Sequence, residues 1–222
     1  MKNSNIFLVY VFLLGIIFTS ACSIESDKNS APKSGDTNVD ETNVLETVNF
    51  DANYIKYTEE SKMFEEADLV VLAKVNKSFE DREHVVKYLP SDPQLKEDVI
   101  EDFYTKTPIT IKKVLKKTND DNIDKKGTLN IIEPVSIIKN KDKRKKFTTE
   151  NYLELKKGEK YVLYLKKNTF GEYSVINMNN GRFNMNVDDE FKNKQIDKKD
   201  KETHKKMKQE IKKKYKKEIS EL

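Results

Sequence analysis

Four short constellations in this chain carry residue types that could do chemistry. Asp120-Asp121-Asn122-Ile123-Asp124 has the Asp-x-Asn-x-Asp spacing that opens a calcium loop. Such a loop needs glycine at its sixth place for the turn and glutamate at its twelfth for bidentate ligation. Those places hold Lys125 and Ile131, so the segment reads as a polar loop between strands. Glu80-Asp81-Arg82-Glu83-His84 offers an imidazole beside carboxylates, but the only other histidine, His204, lies in the tail. Without a second ligand cluster at metal-site spacing, this also reads as a solvated loop. Ser136-Ile137-Ile138-Lys139 and Ser30-Ala31-Pro32-Lys33 match the Ser-x-x-Lys of acyl-enzyme families. Those families place the pair one helical turn apart and add Lys-Thr-Gly. Ser136 stands in a strand pattern, where a residue three positions away faces the other side, and Lys-Thr-Gly does not occur.

Lys139-Asn140-Lys141-Asp142-Lys143-Arg144-Lys145-Lys146 is the fourth constellation, a basic loop with solvation or anion binding as its use. Gly-x-Ser-x-Gly, His-Glu-x-x-His and phosphate-cradling motifs are missing from the sequence. The expectation is a chain without catalytic residues, cofactor or metal. A hydrolase whose carboxylates come from several loops is the alternative.

Any such residue needs a scaffold, and composition limits which one. Charged and hydrophobic residues each make up 36% of the 222-residue chain, so part of it cannot join a packed core. The single cysteine, Cys22, allows no disulfide within the chain. Charge is unevenly placed. From Lys192 to the C-terminus thirteen lysines face six carboxylates, an excess of seven positive charges on an otherwise mildly acidic body. Nucleic acid is the least expected partner for such a body.

The N-terminus carries Lys2, then an apolar run from Ile6 to Phe18, then Thr19-Ser20-Ala21-Cys22. The run is shorter than the roughly 20 residues of a membrane-spanning helix and has the plan of a signal peptide. With cysteine just past small residues, it resembles the lipobox of bacterial lipoproteins. The resemblance implies lipid attachment at Cys22, removal of residues 1–21, and a location on the outer face of the cell membrane. Two acyl chains would hold the protein there firmly. Residues 22–48 are rich in Ser, Asn, Thr, Asp and Glu and read as a disordered tether.

Residues 49–191 read as one domain, mainly β with flanking helices. A helix is expected over Thr58–Ala67, capped by Thr58 or Ser61, and a buried strand over Leu69–Val75. Tyr104–Leu115 is a further strand, with Pro108 suggesting an edge or a bulge. Leu129–Ile138 is a strand bent at Pro134, and Lys160–Lys166, Glu172–Asn177 and Arg182–Val187 complete the set. Asn179-Asn180-Gly181 between the last two predicts a tight hairpin of type I′. In 192–222, Met207, Ile211, Tyr215 and Ile219 recur at helical spacing among lysines, giving an amphipathic basic helix. Its stripe could dock on the domain, or lie on an anionic lipid or wall polymer.

Three segments add a resemblance at the level of the fold. Glu66-Ala67-Asp68-Leu69-Val70-Val71-Leu72-Ala73-Lys74-Val75, the run from Phe103 to Lys116, and Leu155-Lys156-Lys157-Gly158-Glu159-Lys160-Tyr161-Val162-Leu163-Tyr164-Leu165 are similar to strands of small exported bacterial OB-like domains. Gly171-Glu172-Tyr173 and Gly181-Arg182-Phe183 resemble their closing hairpin. The resemblance implies a small closed OB-like β-barrel and no particular activity. Together these readings predict a monomeric, lipid-anchored module that binds a protein or an anionic polymer at the envelope. An immunity or inhibitor lipoprotein is a further alternative.

Overall fold

A computed structural model describes residues 45–90, 99–118, 123, 127–140, 143–191 and 194–221. Cys22, the signal segment, the tether up to residue 44 and the Asp120–Asp124 segment apart from Ile123 lie outside the described residues. The chain is mainly β with a few helices. β1 spans Glu46–Phe50, α1 Glu60–Glu66, β2 Leu69–Val75, β3 Glu83–Tyr88 and β4 Ile100–Lys117. β5 spans Thr128–Glu133, β6 Val135–Asn140, β7 Lys143–Thr149, β8 Lys160–Lys167, β9 Tyr173–Val175 and β10 Arg182–Asn184. α2 (Lys198–Lys214) and α3 (Lys216–Ser220) follow.

Five strands close into a barrel in the order β2-β4-β5-β9-β8, with β8 returning to β2. All neighbours are antiparallel except β5 and β9. This is the small OB-like barrel, and the sequence pattern explains its wall. Leu69, Val71, Ala73 and Val75 of β2 and Tyr161, Leu163 and Leu165 of β8 fill the barrel interior. The alternate residues Val70, Leu72, Val162 and Tyr164 face a second core, closed by Met63 of α1 and by Met207, Ile211 and Tyr215 of the tail. Both strands are buried on both faces, which is why they read as unbroken apolar runs.

The tail stripe is therefore spent on the barrel. Asp197 caps α2 by accepting from the amides of Lys199 and Asp200. On α1 the cap position falls to Glu59 rather than Thr58 or Ser61.

β4 is long enough to take two partners along one edge, β3 against its first part and β2 against its second. Pro108 falls in the gap between them, so its missing N–H breaks no ladder there. Pro134 does more than bend one strand. It separates β5, in the barrel, from β6, in a second sheet of order β1-β7-β6. β1 in that sheet takes up Glu46–Val48, which the composition had given to the tether. The lysine-rich β7 is a strand because its main chain pairs on both sides, with only Phe147 supplying a large apolar side chain.

The predicted hairpin at Asn179-Asn180-Gly181 is not formed. β9 and β10 both run antiparallel to β8 along the edge opposite β2, one after the other. Residues Met178–Gly181 make a 3-10 turn that interrupts this edge. The positive φ angles fall at Asn177 and Met178 instead (57° and 49°).

Candidate functional site: an aromatic groove on the barrel face

The outer face of β4, β5 and β9, extended by β3, is where OB barrels commonly take ligands. Alternation along β4 sends Thr105, Thr107 and Ile109 inward and leaves Tyr104 on this outer face. Register places Lys87 of β3 beside Asp102, and Ile132 of β5 beside Lys106 and Ser174. The turn after β8 brings Phe170 over the end of the face, where it is 77% exposed. Lys87, Asp102, Tyr104, Ile132, Phe170 and Ser174 line an open groove of about 320 Å³.

Lys87 organises the groove. Its ammonium lies 5.5 Å from the Tyr104 ring centre and 5.2 Å from that of Phe170. Such contacts are attractive because the ring face carries partial negative charge. Asp102 is 3.6 Å from the same ammonium. Lys106 is held between Glu83 (3.3 Å) and Glu172 (3.5 Å), and the Glu83 hydrogen bond and charge raise its pKa. The rim carboxylates are thus engaged with lysines. The exposed Phe170 ring and its contact with a cation give a planar or apolar ligand a place to sit. The β3–β4 arm beside it also exposes Tyr88, Leu89 and Val99.

The histidine cluster turns out to be structural bracing rather than a solvated loop. Arg82 is buried, and His84 bridges two elements. The His84 Nε2 lies 3.0 Å from the Phe79 carbonyl, while Nδ1 accepts from the Ile137 amide at 3.0 Å. Those two contacts fix a neutral tautomer, and burial lowers the imidazole pKa. Ser136 Oγ stands 3.3 Å from Nδ1 and Thr105 Oγ1 3.1 Å. The lone pair that would take a serine proton already holds the Ile137 N–H, so the pair is not arranged for nucleophilic attack.

Ser136 is buried and Lys139 exposed, on opposite faces of β6. The basic segment is strand rather than loop at both ends. Lys145 pairs with Glu46 at 3.0 Å, Lys146 with Glu154. Among the described residues no group of three His, Cys, Asp or Glu converges to hold a metal.

Of the groove residues, Tyr104 and Phe170 were visible only as strand and turn positions. Lys87 was not visible at all. The alternation in Glu83–Tyr88 was the available signal, but the run is short and half polar. No family model, no curated protein and no solved structure matches the chain.

Proposed function

We propose that this chain is a lipid-anchored, extracytoplasmic binding module that takes a protein or an anionic polymer of the cell envelope into the aromatic groove. The observation that carries the reading is Lys87 set over Tyr104 and Phe170 in an open groove on the barrel's outer face. The groove is shallow and its acids are paired with lysines, which suits retention of a ligand better than proton transfer. The anchor rests on the apolar run ending at Ser20-Ala21-Cys22.

Two experiments test the two halves. Cys22→Ser should release the protein from the membrane fraction or leave it as precursor; normal cleavage with retention at high salt would remove the anchor. The chain from Ser23 onward should co-sediment with isolated envelopes. Phe170→Ala combined with Lys87→Glu should weaken that at least tenfold at an unchanged melting temperature. Equal retention of the double variant would overturn the groove as the ligand site.

A further inference from the structure

The lysines of the C-terminal helices fall into two sets. One set is spent on the domain. Lys208 Nζ donates to the carbonyls of Val187 and Asp188, Lys212 pairs with Asp188 at 2.6 Å, and Lys214 pairs with Glu60 at 2.9 Å. These contacts flank the buried stripe of His204, Met207 and Ile211 and pin α2 with that side toward the barrel.

The other set points away. Lys199, Lys206 and Lys213 recur at seven-residue intervals, close to two helical turns, and each is exposed. Lys205 on α2 and Lys216 and Lys217 on α3 are exposed as well. Among the described residues, Lys205, Lys206, Lys213, Lys216 and Lys217 have no carboxylate partner. From Asp197 to Glu221 eight exposed lysines stand against four exposed carboxylates, so the outer side of the tail is a basic ridge. Along the 17 residues of α2 it runs for about 25 Å.

Ammonium groups on flexible stems along a convex helix suit a plane of phosphates better than a ligand held in a pocket. The two rings of these helices, His204 and Tyr215, are buried, so a single-stranded nucleic acid finds no platform on which to stack. The stripe that an interfacial helix would insert into lipid is already buried on the barrel. Attraction to a surface is therefore electrostatic, without insertion.

That stripe covers the outer faces of β2 and β8, which adjoin in the barrel. In the order β2-β4-β5-β9-β8, β5 is the strand across from their seam, and β5 supplies Ile132 to the aromatic groove. Ridge and groove occupy opposite sides of the domain.

We propose that the ridge lies on the phosphate headgroups of an anionic bilayer and holds the domain with its groove turned away from the membrane. The choice of a bilayer rests on the anchored reading proposed above, because a lipid at Cys22 raises the local concentration of the ridge at that surface and lets weak contacts add up. A lysine near such a surface strengthens binding about fivefold. Salt weakens the attraction by shortening its reach, to about 10 Å at 0.1 M.

The chain from Ser23 onward contains no cysteine, so Gln209→Cys on the ridge and Phe170→Cys at the groove each accept a single fluorescent label. On vesicles of phosphatidylglycerol and phosphatidylcholine with a headgroup-linked quencher, the label at 209 should be quenched several-fold more than the label at 170. Both should recover at high salt. Changing Lys205, Lys206, Lys213 and Lys217 together to Gln should weaken vesicle binding at least tenfold at an unchanged melting temperature, whereas Phe170→Ala should not weaken it. Absence of binding, equal quenching at the two positions, binding that survives high salt, or equal binding of the lysine variant would each overturn the proposal. So would tighter binding of soluble polyglycerol phosphate at equal phosphate concentration, which would assign the ridge to a polymer. None of these measurements uses Cys22 or a groove ligand, so failure here is distinct from failure of the anchor or of the groove.

Discussion

Arg82 and Glu133 form an ion pair at 2.7 Å in which neither side chain has any exposure to solvent. Glu133 also accepts from Thr107, from the Tyr152 hydroxyl at 3.1 Å and from the Leu155 amide at 2.8 Å. Arg82 donates to the carbonyls of Lys77 and Leu155. The pair joins the start of β3, the end of β5 and the chain entering β8 beneath the barrel. Removing one partner strands a buried charge, which typically costs 3–5 kcal/mol. Glu133→Leu and Arg82→Met should each lower stability by about that much in urea titrations. The double variant should lose less than the sum of the two, and simple additivity would show that the charges act independently.

Gly181 is fixed by space rather than by backbone angle. A Cβ there would lie 1.7 Å from the Ile176 carbonyl oxygen. Gly181→Ala should therefore cost about 3 kcal/mol, toward the upper end for overpacking. Gly171, at φ +81° with open space around it, should cost only about 1 kcal/mol when changed to Ala. Chemical denaturation of the two variants compares them directly, and equal losses would contradict the packing account.

His204 stacks on Phe183 at 4.7 Å and meets Phe191 at 4.3 Å. Burial first, then the charges of Arg182 and Lys208, hold its pKa down to about 3. In the unfolded chain it titrates near 6.5. Between those values the unfolded state binds the extra proton, so stability falls as pH falls through that window and is unaffected above it. The contribution lost at pH 5 is about 2 kcal/mol. Melting curves from pH 7.5 to 4 should show His204→Leu losing less stability than the wild type. Parallel curves would place the acid sensitivity elsewhere.

The tail should behave as part of the fold, because Met207, Ile211 and Tyr215 cover Val70, Leu72, Val162 and Tyr164. Burying three such side chains is worth on the order of 5 kcal/mol, so deleting 192–222 should unfold the domain or lower its melting temperature sharply. The exposed lysines can be tested without that damage. Changing Lys205, Lys206, Lys213 and Lys217 to Gln leaves the buried stripe intact. If the tail also binds an anionic surface, that variant should lose sedimentation with phosphatidylglycerol vesicles at low salt, each lysine being worth about 1 kcal/mol there. Equal sedimentation of wild type and variant would leave those lysines as the helix's solvated side.

The sequence by itself determined the elements whose local pattern and tertiary use agree. β2 and β8 were legible because burial on two faces demands unbroken β-branched and aromatic runs. The tail helix was legible because four-residue spacing has one conformational reading. From these and the resemblance the barrel could be expected.

Only the tertiary structure decided what depends on partners distant in the chain. Whether the tail stripe docked was settled by the uncovered outer faces of β2 and β8. β7 reads as a polar loop until β1 and β6 pair with it. Arg82 and Glu133 are 51 residues apart, so no local pattern distinguishes a buried arginine from a solvated one. The same holds for Asn179-Asn180-Gly181, whose local chemistry favours a hairpin. Its actual shape follows from β9 and β10 sharing one edge of β8, with the asparagine amides drawn to Tyr57, Asn151 and Leu153. The hollows of the surface arise where such long-range closures meet, because a cavity is a property of several segments and is encoded in none of them alone.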